Sequence, residues 1–160
     1  MSKSPQACQE GFYDFPYHYI AGLPPKFSVA KYDGWHLNYV SAMVFLLQKM
    51  SEEAGVERII DIGCGDGRFT AEVRKRFPLA HVKGVDYSKQ AISFALAMNR
   101  GSTVEFEARD LITDQLTANY DQAVLMEVYE HIEPSCALQF LSSVRETLRP
   151  GGVLHLTVPH

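Results

Sequence analysis

Cysteine is scarce in this 160-residue chain. Cys8, Cys64 and Cys136 are widely spaced, odd in number and form no Cys-x-x-Cys pair. That usage argues against a disulfide framework or a structural zinc site and predicts reduced thiols. Long apolar runs are lacking too. The longest, YVSAMVFLLQKM, falls short of the roughly 18 residues that suggest a membrane helix. The amino-terminal MSKSPQACQEG has no apolar core of a secretory signal. Together these absences predict a cytoplasmic protein. Positive charge is in deficit, with a net charge of −4. The densest basic stretch, RKRF at 74–77, lies on an ordinary amphipathic helix, which disfavours a nucleic-acid partner. Repeats and low-complexity tracts are missing.

What remains is ordinary for a globular domain: 46% hydrophobic and 21% charged residues in a chain long enough for one core. Residues 1–35 form an irregular segment rich in aromatics, Pro and Gly, with no clear period. Residues 36–160 read as one domain. A helix is predicted over Trp35–Glu53, with Leu37, Val40, Val44 and Leu47 on one face. An alternating series follows. Arg58–Ile62 is a strand, and Arg68–Phe77 a helix with Phe69, Val73 and Phe77 in a stripe. His81–Asp86 is a strand. Ser88 caps a helix carrying Ile92, Ala95 and Leu96. TVEFEARD and Gln122–Glu127 are strands. A helix opens at Pro134 and carries Leu138, Leu141 and Leu148 until RPGG stops it, and Val153–Val158 is the fifth strand. This order specifies an α/β fold with a parallel sheet covered on both faces. Ligands of such sheets bind beyond the carboxyl ends of the strands.

The stretch IIDIGCGDGRF lies at the first of those ends. Gly63, Gly65 and Gly67 leave the backbone bare between strand and helix. A ligand can then approach free N–H groups at a helix amino terminus. The spacing G-x-G-x-G differs from the G-x-G-x-x-G of pyrophosphate-binding loops, and an acid, Asp61, precedes it. Asp61 repels phosphate and attracts an ammonium. Asp86 ends the second strand, nineteen residues after Gly67, close to the ~20-residue spacing of a ribose-binding carboxylate. Asp110 closes the third strand. A cation, a sugar diol and an amino-bearing base without phosphate describe S-adenosylmethionine. Cys64, inside the loop, reads as a small side chain under the ligand rather than a nucleophile.

IDIGCGDG, GVDYS, EARDL, LMEVYEHI and LRPGGVLHLTVP, in this order, resemble the class I S-adenosylmethionine-dependent methyltransferases over Arg58–His160. The resemblance implies a Rossmann-like three-layer sandwich with a mostly parallel sheet ordered 3-2-1-4-5. It implies that Asp61, Gly63, Cys64 and Gly65 hold the methionine part of the cofactor. It gives Asp86 the ribose, with Tyr87 packing near the adenine. Arg109, Asp110 and Leu111 border the adenine, Asp110 through its amino group. Met126 and Glu127 flank the transferable methyl. The chain ends two residues after the expected fifth strand, so the family's final antiparallel strands are expected to be missing. A partner chain, as in a homodimer, is an expected cover for that edge.

The segment EVYEHIEP follows the fourth strand, beside the expected methyl. His131 fits a general base for an oxygen acceptor, although Glu130 and His131 equally suit capping of the next helix. Glu127, Glu130 and His131 in the pattern E-x-x-E-H also look like the metal site of small-RNA ribose 2′-O-methyltransferases and of some ubiquinone-pathway O-methyltransferases. His155 and His160 are the only nearby further histidines, and no metal is assigned. Tyr13, Tyr17, His18 and Tyr19, with Trp35 and His36, are candidates to touch cofactor or acceptor, or to pack as core aromatics. No N-P-P-Y-like motif follows the fourth strand, which disfavours adenine or glutamine N-methylation. The expectation is a methyltransferase acting on a small molecule at oxygen. A metal-dependent RNA ribose methyltransferase and a cofactor-binding module without its own catalysis are the alternatives.

Overall fold

The computed structural model describes residues 10, 13, 16, 18, 19, 34–116 and 118–159, without the side chains of 34–36. Cys8, Tyr17, His160, the side chains of Trp35 and His36, and most of 1–35 lie outside the described residues.

The described elements run in chain order as α1 (Gly34–Met50), β1 (Arg58–Ile62), α2 (Arg68–Arg76), β2 (His81–Asp86), α3 (Lys89–Met98), β3 (Glu105–Ala108), β4 (Tyr120–Met126), α4 (Ala137–Thr147) and β5 (Leu148–Thr157). The five strands form one sheet ordered β3-β2-β1-β4-β5, with every neighbouring pair parallel. That is the Rossmann-like arrangement expected from the sequence. Strands β1 and β2 fall where the sequence places them. No helix among the described residues is long and apolar enough to cross a membrane.

Alternation along the strands sends side chains to two cores. Ile59 of β1, Val82 of β2, and Val124 and Met126 of β4 pack with α1 and with Phe69 and Val73 of α2. Ile60 and Ile62, Val85, Ala123 and Leu125 pack on the other face with Phe140 and Val144 of α4. The strands are apolar on both faces because helices cover both. Each fully buried Ile, Val or Leu contributes about 1.5–3 kcal/mol. Ser88 caps α3 as expected: its hydroxyl accepts the Ala91 N–H at 3.1 Å.

Helix α1 buries a different stripe from the one expected. Tyr39, Met43, Leu46 and Met50 face the sheet, whereas Leu37 and Val44 are exposed; Val40 and Leu47 pack at the margin of the core. Both sets have helical spacing, because α1 is apolar around most of its circumference. The match to the sheet, not periodicity, selects the face. Leu138 of α4 is likewise exposed, and Phe140, Val144 and Thr147 are buried instead. Leu96 of α3 is exposed as well.

The RPGG stretch does not stop a helix. Helix α4 ends at Thr147, and β5 begins at Leu148. Leu148 pairs with Tyr120 and Val153 with Gln122, so residues 149–152 bulge opposite Asp121. Gly151 has φ +80°, and a Cβ on Gly152 would lie 3.0 Å from the carbonyl oxygens of Arg149 and Tyr120. Arg149 Nε donates to Asp121 Oδ1 at 2.5 Å, and the other Asp121 oxygen accepts the Glu57 and Arg58 N–H groups at 2.8 Å.

The two faces of α1 give a direct test. Met50 is fully buried and Leu37 is 56% exposed. Met50→Ala should lower stability by about 2–5 kcal/mol, whereas Leu37→Ala should change it by less than ~0.5 kcal/mol, measured by urea denaturation.

Candidate active site

The carboxyl ends of β1, β2, β4 and β5 meet around a cavity of about 560 Å³. Gly63 lines it from the loop after β1, and Asp86 and Tyr87 from the end of β2. Met126, Glu127 and Val128 enter from β4, followed by Glu130, His131 and Ile132 of the next turn. Thr157 at the end of β5 and Val158 and Pro159 after it contribute, as do Asn38, Tyr39, Ser41 and Ala42 from α1. Tyr13 and His18 complete the wall. Nine sequence-expected candidates are therefore brought together: Tyr13, His18, Gly63, Asp86, Tyr87, Met126, Glu127, Glu130 and His131. Asp61, Cys64, Gly65, Arg109, Asp110 and Leu111 lie outside the lining.

The glycine loop hangs from the end of β2. The N–H groups of Gly63 and Cys64 both donate to the Val85 carbonyl, at 2.8 and 3.0 Å. Gly65 N–H donates to Asp86 Oδ2, and Ser88 N–H to Asp86 Oδ1, each at 2.9 Å. The bareness of the loop serves the protein's own side chains as well as any ligand. A Cβ on Gly63 would come within 2.5 Å of Val128, and one on Gly65 within 2.9 Å of the Tyr13 hydroxyl and 3.1 Å of His18. Both glycines also have positive φ, +75° and +55°, a conformation costly for other residues.

Asp61 is buried behind the loop, where it accepts the Thr70 hydroxyl at 2.5 Å. Burial pushes its carboxyl up to about 7, against the Thr70 bond and with help from Asp86. Asp86 is pushed up to about 6, chiefly by burial, while the N–H groups of Ser88 and Gly65 pull the other way. The Cys64 thiol is held well above its ordinary value by burial, then by Asp86, Asp61 and Asp66. A thiol so disfavoured as thiolate is no nucleophile.

Around the third strand, Arg109 is engaged with Glu107. Asp110 closes a turn by accepting the Ile112 N–H at 2.9 Å. Leu111 belongs to the α4-side core. After β4, Glu127 has φ +56°, the only non-glycine positive φ among the described residues, and its N–H donates to the Thr157 carbonyl at 3.2 Å. Burial lowers His131 below its ordinary value, opposed by Glu127, and raises Glu130, with Glu127 adding to the rise. The His131 and Glu130 side chains stand 3.7 Å apart. Among the described residues, no three His, Cys, Asp or Glu side chains converge in a way that would hold a metal ion. His155 lies on β5 outside the cavity, and burial lowers its ionisation against the opposing pull of Glu53 and Glu52.

Sequence reasoning missed Asp66, which is fully buried and bound to His18. Its only signal was its place inside the glycine motif. Asn38 and Ser41 carried no signal. Thr157, Val158 and Pro159 were legible only through the rule that ligands collect at strand ends.

A family profile described as a methyltransferase domain matches residues 60–154. The malonyl-[acyl-carrier protein] O-methyltransferase of Bacillus cereus is 28% identical over 68% of this chain and 45% of its own length. The trans-aconitate 2-methyltransferase of Deinococcus radiodurans is 33% identical over 71% of this chain and 42% of its own. This chain thus spans less than half the length of either relative. Among solved structures, the N-methyltransferase NodS of Bradyrhizobium japonicum, in complex with S-adenosyl-L-homocysteine, has a TM-score of 0.63. It is 22% identical over 79% of this chain and 63% of that one. The chain belongs to the class I methyltransferases, enzymes whose methyl donor is S-adenosylmethionine. The site fits that cofactor: a cavity at the strand ends joins a side-chain-free loop to a buried carboxylate at the end of β2.

Two expectations follow. Gly63→Ala should cost about 1–2 kcal/mol in backbone strain plus about 1–3 kcal/mol from collision with Val128. Adding Val128→Ala should recover only the second part, read from urea midpoints. Asp61 and Asp86 have folded values raised above those of the unfolded chain, so they bind more protons when folded. Their contribution is complete below about pH 4 and is lost as pH rises through about 6–7. The cofactor-free protein should therefore gain stability on going from pH 7.5 to 5.5. Asp61→Asn should flatten that dependence by an amount on the order of a few kcal/mol.

Proposed function

We propose that this chain catalyses transfer of the S-adenosylmethionine methyl group to an oxygen atom of a small-molecule acceptor. The observation that carries the reading is one cavity holding Gly63 and Asp86 at one side and Glu127 and His131 at another. The names of the relatives, which include O-methyltransferases acting on malonyl-[acyl-carrier protein] and for ubiquinone biosynthesis, support the class of acceptor atom. In this reading residues 36–160 are the cofactor domain, with the aromatic-rich residues 1–35 ahead of it in the sequence. Free Cys64 and Cys136 accord with work in the cytoplasm. The apolar residues Leu154 and Leu156, exposed on edge strand β5, and Val158 just after it support a second copy of the chain as a cover.

Gly63, Cys64 and Gly65 would hold the methionine end of the cofactor, with Asp61 behind them contributing charge. Asp86 would take the ribose hydroxyls and Tyr87 the adenine face. Arg109, Asp110 and Leu111 would shape the adenine end. Met126 and Glu127 would flank the sulfur. Bound there, the cofactor supplies an electrophilic methyl group on a sulfonium. The protein's part is alignment, which contributes up to about 7–11 kcal/mol in well-oriented reactions, and removal of the acceptor's proton.

His131 suits that second task. Burial lowers its ionisation below the ordinary histidine value, so the imidazole is neutral near pH 7 and free to accept the hydroxyl proton. With cofactor saturating, kcat should therefore be flat near neutrality and fall on the acid side, as His131 becomes protonated. His131→Ala should lower kcat by about 100-fold, abolish the acid limb and leave cofactor affinity intact. Asp86→Ala should weaken cofactor binding by about 1–3 kcal/mol, measured by calorimetry with S-adenosylhomocysteine. Unaltered turnover in the His131 variant would leave that residue a structural role; unaltered affinity in the Asp86 variant would remove the ribose assignment.

A further inference from the structure

Asp66 is a fully buried carboxylate in the middle of the glycine loop, and the methyl-transfer chemistry has no use for it. Its partners come mainly from far away in sequence. Asp66 Oδ2 accepts the His18 backbone N–H at 2.9 Å, and Oδ1 lies 3.0 Å from His18 Nδ1. The Arg68 N–H reaches Oδ1 at a longer 3.4 Å. The neighbouring residues repeat the grip: the Tyr19 hydroxyl donates to the Gly67 carbonyl at 3.2 Å, and the Arg68 guanidinium lies over the Tyr19 ring. His18 and Tyr19 therefore hold Asp66 and Gly67 from outside.

The same histidine reaches further. Its ring packs 4.9 Å, centroid to centroid, from that of Tyr39 on α1. It stands against the face of Gly65 that a Cβ would fill, and it lines the cavity. Gly65 in turn donates to Asp86. A path of contacts thus runs from α1 through His18, Asp66 and Gly65 to the carboxylate at the end of β2. A buried carboxylate that loses its partner keeps its desolvation cost without compensation. The loop would relax to rehydrate Asp66, and Gly65 would move with it.

We propose that His18 is a positioning residue for the cofactor: by binding Asp66 it holds the glycine loop in the conformation that receives S-adenosylmethionine. This rests on the cofactor reading of the cavity. It assigns His18 no part in the chemistry, so its loss should act on cofactor affinity more than on the rate of methyl transfer.

The test is calorimetric titration of S-adenosylhomocysteine into the wild-type chain and the variants His18→Leu, His18→Asn and Asp66→Asn. His18→Leu should weaken binding about tenfold and raise KM for S-adenosylmethionine far more than it changes kcat. His18→Asn, whose amide can donate to Asp66, should recover most of the affinity. The double variant His18→Leu with Asp66→Asn should bind less weakly than the sum of the two losses predicts, since both variants disrupt the shared ring-to-carboxylate contact. Equal affinity of His18→Leu and wild type, equal losses in His18→Leu and His18→Asn, or additive losses in the double variant would each overturn the proposal. If Asp66→Asn does not fold, the two His18 variants decide alone. Failure of the wild-type chain to bind S-adenosylhomocysteine would remove the cofactor reading itself, and this proposal with it.

Discussion

The Asp86 carboxylate joins the loop after β1 to the loop after β2. One oxygen takes the N–H of Gly65 in the loop after β1; the other takes the N–H of Ser88, which caps α3. Val85, one residue earlier, accepts two more N–H groups from Gly63 and Cys64. The end of β2 thus sets where the glycine loop lies, and through it where α2 begins. Because parallel strands bring their carboxyl ends to one side, the loops after β4 and β5 then face that fixed point. The cavity is the space left between them.

Electrostatics at this point is deliberately unfavourable in the empty protein. Asp61, Asp66 and Asp86 are all buried within one loop and its neighbours. Each is held by donors: a hydroxyl for Asp61, backbone N–H groups for Asp86, and an imidazole with backbone N–H groups for Asp66. Such a concentration of carboxyl groups is poor for stability but suits a cationic ligand. Proteins accept costs of this kind at functional sites.

Much of this was legible in the sequence, for identifiable reasons. Strands β1 and β2 have sharp boundaries because apolar runs meet Gly or Asp. The sheet order was carried by the family resemblance rather than by any local signal. The α1 face was misread because two apolar stripes compete on one helix, and only packing against Ile59, Val82 and Val124 chooses between them. RPGG was read as a helix stop because Pro and Gly punctuate helices, whereas here they build a bulge inside β5. At the site, Gly63, Asp86, Met126 and His131 were legible from motif position. The Asp66–His18 pair was not, because its partners are forty-eight residues apart in the chain.

The raised ionisation of Asp61 and Asp86, to about 7 and about 6, leaves both partly protonated close to neutral pH. A positively charged guest favours the ionised form of each. Capture of such a guest therefore expels hydrogen ions into the medium. The heat of association then varies with the buffer that absorbs them, and the complex tightens as the solution becomes more alkaline.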